Sequence, residues 1–146
     1  MATEKEQNLK NHNKLVPAFH MFVLPLFGVN LVWRLMQLRH GINFASIMAV
    51  LMALGLILLA LYARMFAMTV QDRVIRLEMQ LRLARLLPPE LHPRIDDFAV
   101  GQLIALRFAS DQELPLLARQ VLEENLTSRQ EIKRRVKNWR ADYLRA

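Results

Sequence analysis

The sequence predicts an all-α membrane protein: a two-helix transmembrane hairpin, its second helix extended into the cytoplasm, then a small bundle of short C-terminal helices. Three observations lead there. Hydrophobic residues make up 53% of the 146, and they are segregated, because residues 15–63 carry only two charges, Arg34 and Arg39. No loop signal separates the second apolar run from the charged, periodic segment that follows it. Beyond that segment, prolines and capping residues recur at short intervals, as they do between short helices.

Residues 1–14 form a polar N-terminal tail whose Lys5, Lys10 and Lys14 flank the first apolar run. Residues 15–64 form the hairpin, with spans at about 15–35 and 42–63. In the first span Pro17 suits a helix start. His20, Pro25 and Asn30 interrupt it, and Pro25 is expected to kink the helix by removing a backbone donor. A cleavable signal peptide is the competing reading, but no convincing small-x-small cleavage site precedes Arg34. The second span, "INFASIMAVLMALGLILLALYA", has no charge and at 1.5 Å per residue covers roughly 33 Å, enough for a hydrocarbon core of about 30 Å. Ala45, Ala49 and Ala53 recur every fourth residue, a small-residue face that admits a neighbouring helix.

The link "RLMQLRHGIN" is too short for a folded domain, so both termini fall on one side. Lys5, Lys10 and Lys14 before the hairpin and Arg64, Arg73 and Arg76 after it outnumber Arg34 and Arg39 between the spans, which predicts cytoplasmic termini. Trp33 and Tyr62 stand near the span ends, where aromatic anchors belong.

Residues 65–87 continue the second helix. Val70, Val74, Leu77, Leu81 and Ala84 alternate spacings of four and three, a seam that predicts packing against the chain's own C-terminal helices, or else a coiled-coil dimer. "PPELHP" ends the helix, and residues 88–146 form a C-terminal helical domain. Asp96 and Asp97 are candidate caps for a helix reaching Phe108. Ser110 and Glu113 make a capping box, with Pro115 one turn into the helix that follows. Asn125 is a candidate left-handed C-cap. The last helix starts with Thr127 and Gln130 or with Ser128 and Glu131, and its apolar face is Ile132, Val136, Trp139 and Tyr143.

Candidate chemistry is sparse. The chain has no cysteine, which excludes disulfides and thiolate sites, and four glycines leave no phosphate-cradling loop. Lys133, Arg134, Arg135 and Lys137 form a basic cluster. Helix, turn and basic helix outline a helix-turn-helix, but the turn lacks glycine, and Glu123, Glu124 and Glu131 would oppose a phosphate backbone. On a tethered chain the cluster fits lipid headgroups, at about 1 kcal/mol per basic residue, or simply a solvated face. His20 lies within the first span and His12 about two turns earlier, an alternative basis for a redox or cofactor site. No carboxylate in the spans and no i, i+4 histidine pair supports a metal there.

The stretches "KNHNKLVPAFH", "ARMFAMTVQDRVIRLE", "QLIALRFASDQELPLLARQVLEENL" and "IKRRVKNWRADYLR" resemble an uncharacterised family of small bacterial membrane proteins, known only as a domain of unknown function. The resemblance covers nearly the whole chain and implies a two-span protein of the bacterial inner membrane with a helical cytoplasmic tail. It implies no activity and no cofactor. The expected function is non-enzymatic: cytoplasmic helices that make protein contacts, with a partner or with a second copy, beside membrane lipid.

Overall fold

The computed structural model describes residues 16–142, and these are helical throughout apart from turns and one isolated bridge between Ala109 and Trp139. The helices are α1 (Leu24–Gln37), α2 (Phe44–Leu86), α3 (Val100–Leu106), α4 (Leu114–Glu123) and α5 (Arg129–Arg135). A π-helical turn, Ala18–Val23, leads into α1, and 3₁₀ turns at Leu38–His40 and Pro89–Asp97 follow α1 and α2. The chain divides into two compact units, one ending at Met68 and the other beginning at Thr69.

By length and composition, two helices, Ala18–His40 and Phe44–Leu86, could cross a membrane, and the second of them runs on into the other unit. The break expected at Pro25 takes the form of a change in winding. Pro25 follows a π-helical turn at the second position of α1, and Leu24 just before it donates five residues back to Phe19. Between the helices Gly41 takes φ +144°, a conformation that favours glycine. Asn43 and Ser46 then start α2 reciprocally: Asn43 Oδ1 accepts from the Ser46 amide and Ser46 Oγ from the Asn43 amide, each at 2.9 Å. Of the alanines expected to pack, Ala53 is buried, Ala49 half-buried and Ala45 exposed, and Ala60 continues the buried line. Arg64 lies 5.7 Å over the Phe19 ring.

The second unit has its own core. Ile75, Met79, Leu83 and Leu87 of α2 and its end meet Leu103, Ile104 and Leu106 of α3, Leu114, Leu117 and Val121 of α4, and Ile132 of α5. The cap of α3 differs from expectation. Asp96 and Asp97 close the 3₁₀ turn, and Ala99 stands at the N-cap with no acceptor of its own. Gln102 replaces it: Oε1 accepts from the Ala99 amide at 2.7 Å, while Nε2 donates to Leu126 O at 2.9 Å, so one buried amide joins the start of α3 to the α4–α5 turn. Helix α4 begins at Leu114, so Pro115 lies in its first turn, where a missing donor costs nothing. Asn125 adopts φ +49° after α4, and Leu126 N–H bonds Val121 O, closing the helix end.

Neighbouring leucines on α4 test this core. Leu117 is 3% exposed and Leu116 65%. Leu117→Ala is expected to cost about 2–5 kcal/mol and Leu116→Ala less than about 0.5 kcal/mol, measured by denaturant unfolding of the full chain in detergent.

Candidate functional site

Helix α2 has two apolar faces beyond Met68, and they have different fates. Ile75, Met79, Leu83 and Leu87 turn inward. Val70, Val74, Leu77 and Leu81, the seam expected to pack against the C-terminal helices, are instead 60%, 47%, 62% and 67% exposed, and Ala84 is exposed with them. The physical reason is Arg82. It interrupts the inward face in sequence, so the Val70 line reads as the cleaner seam, but its guanidinium has a dedicated set of acceptors.

Arg82 is 9% exposed. It donates to Arg107 O at 3.1 Å and Ala109 O at 2.6 Å, and its Nε reaches Asp111 Oδ1 at 2.7 Å. These acceptors lie on the turn after α3, whose carbonyls have run out of helix partners, so one planar fork satisfies three groups together. The Arg82 hydrogen bond holds the Asp111 carboxyl below its ordinary value, against a smaller opposing effect of burial and helped by the charges of Arg82, Arg140 and Arg85. Arg107 packs 4.7 Å over Phe108 and pairs with Asp142 at 3.3 Å.

The last helix is shorter than its sequence period suggests. Ser128 caps it, accepting from the Glu131 amide, and α5 ends at Arg135, with Val136 already extended. Residues 137–140 then run beside the α3–α4 turn, where Ser110 N–H bonds Asn138 O at 3.1 Å and Arg140 N–H bonds Phe108 O at 2.7 Å. Ile132 and Val136 are buried as the pattern implied, but Trp139 reaches Phe108, at 4.9 Å between ring centroids, from an extended strap. Tyr143 lies outside the described residues. The Ser110–Glu113 box is half formed. Ser110 Oγ accepts from the Glu113 amide at 3.3 Å, but the Glu113 carboxylate turns away to accept from the amides of Lys137 at 2.8 Å and Asn138 at 3.0 Å. Sequence reading missed this clamp, because its donors lie 24 and 25 residues from Glu113.

The fold disperses the basic cluster. Lys133 lies 5.2 Å over the Phe108 ring, and Arg135 pairs with Glu124 at 2.7 Å and Glu131 at 3.1 Å. The Glu124 hydrogen bond raises the Arg135 pKa, with burial opposing and Glu131 adding to it. Arg134 and Lys137 are exposed. His20 Nδ1 lies 3.0 Å from Val16 O, and since a carbonyl only accepts, Nδ1 is the donor. His12 lies outside the described residues. Among the described residues no group of three or more His, Cys, Asp or Glu side chains gathers as a metal site.

Arg82→Met is expected to cost about 1–3 kcal/mol, because two buried carbonyls lose their donor. Asp111 titrates with a lowered pKa, so its contribution is complete above the ordinary value of 3.8 and disappears as pH falls through the lower folded value. Acid unfolding of the full chain in detergent, compared with Asp111→Asn, measures it: the variant is expected to be less stable at neutral pH and to converge with the parent in acid.

No curated protein and no solved structure matches the chain significantly. The family of unknown function DUF6526 matches residues 1–146. The chain belongs to that family, a family of unknown function, over its whole length.

Proposed function

We propose that the chain is a non-enzymatic, two-span protein of the bacterial inner membrane whose cytoplasmic helical unit makes protein contacts. One observation carries the reading. An apolar line of four large side chains, Val70, Val74, Leu77 and Leu81, is exposed on a helix whose other face already closes a complete core. Contiguous exposed apolar surface of this kind marks an interaction site. Helix α2 has 43 residues, about twice what a span needs, and Asp72, Arg73, Arg76 and Glu78 interleave with the line, so its place is in water beside the bilayer and not among the lipid tails.

Cytoplasmic termini are favoured by the lysines and arginines flanking the hairpin. A headgroup role for the last helix has less support, because Lys133 and Arg135 are engaged within the fold. A redox role for His20 would rest on Nε2 alone. Nucleic-acid binding would need the concerted basic face that α5 does not present.

Two measurements test the proposal. The chain has no cysteine, so single substitutions report topology without background. His40→Cys is expected to react with an impermeant maleimide from the periplasmic side, and Glu123→Cys only after the membrane is opened; the reverse pattern refutes the topology. A photo-crosslinking amino acid at Leu77 in living cells is expected to capture protein, whereas the same group at Gln130 is expected to capture little. A silent Leu77 position would remove the contact function.

A further inference from the structure

The exposed line on α2 has a heptad register. Val70, Leu77 and Ala84 fall at d, and Val74 and Leu81 at a. In the same lettering Ile75 and Arg82 are b, Leu83 is c, and Met79 and Leu86 are f. The side chains that close the core therefore lie across the helix from the seam, and both faces can be occupied together. The central layers, Val74 at a and Leu77 at d, are the arrangement that favours two parallel strands, while Val70 and Leu81 reverse it.

Charge identifies the occupant. Arg73 is at g and Glu78 at e. In a parallel pair the g residue of one strand faces the e residue five positions on in the other, so Arg73 meets Glu78 of a second copy, and symmetry makes the contact twice. Both side chains are exposed, and among the described residues neither is engaged in an ion pair or hydrogen bond through its charged group. Two chains inserted the same way into one bilayer are parallel by construction.

We infer that residues 70–84 of α2 pair with the same segment of a second copy as a short parallel coiled coil. The inference rests on the membrane and contact reading above and gives the contact its partner. About two heptads are too few for free chains, but anchoring in one membrane raises their effective concentration and holds their orientation.

The test uses the full chain in native membranes. Under mild oxidation Leu77→Cys, at d, is expected to form a disulfide dimer several-fold more readily than Arg76→Cys, at the adjacent c position. Both positions are exposed, so neither substitution disturbs the core. Co-expression of two differently tagged copies is expected to give a product carrying both tags. In the Leu77→Cys background, Arg73→Glu or Glu78→Arg is expected to weaken dimer formation, and the two together to restore it. Equal cross-linking at positions 76 and 77, or no rescue by the double reversal, overturns the inference. A Leu77 photo-adduct with a different protein, without any doubly tagged dimer, overturns it while leaving the contact function standing. Silence in both assays removes both.

Discussion

The guanidinium of Arg82 organises the second unit. It enters from α2, a helix that belongs to both units, and ends on two backbone carbonyls and a carboxylate of the turn joining α3 to α4. Burying a charge is costly unless it is fully bonded, and here the planar fork matches acceptors that the end of α3 leaves unpaired. Fixing that turn positions Phe108, and Phe108 receives Trp139 from the strap, Lys133 from α5 and Arg107 from its own turn. Four segments are thus registered by one side chain. With that contact made, the rotation of α2 about its axis is set, and the Val70 line is left outside.

The amino-acid pattern carried the architecture a long way. Residues 42–63 have no charge, and a run that long has few alternatives to a span-length helix. The helix ends were harder. "SDQE" and "LTSRQE" do mark helix starts, but a capping box assumes that the glutamate's backbone target is free. At Glu113 the strap supplied better donors, and the Ser110 amide was itself taken by Asn138. Such competition is long-range and leaves no local trace. The reverse also occurred: Asn43 and Ser46 form a reciprocal box plain in the sequence once an amide-bearing cap is allowed beside a hydroxyl at the third position.

Two further departures share one cause: short apolar patterns do not distinguish conformations. Ile132, Val136 and Trp139 fit a helix face, yet they fit equally a helix that stops and a strand that carries the tryptophan back. On α2 two apolar lines competed, and periodicity favoured the uninterrupted one. The line containing Arg82 won because its polar member could be satisfied, which depends on carbonyls more than twenty residues away. The small-residue face also departs from its spacing, with burial continuing from Ala53 to Ala60 and not back to Ala45.

The Glu113 clamp has a consequence for divergence within the family. Its carboxylate reads the amides of Lys137 and Asn138, which every residue except proline possesses, and it ignores their side chains. Both side chains are exposed. Positions 137 and 138 are therefore held through their backbone alone, so their side chains can change chemistry while Trp139 beside them stays committed to Phe108.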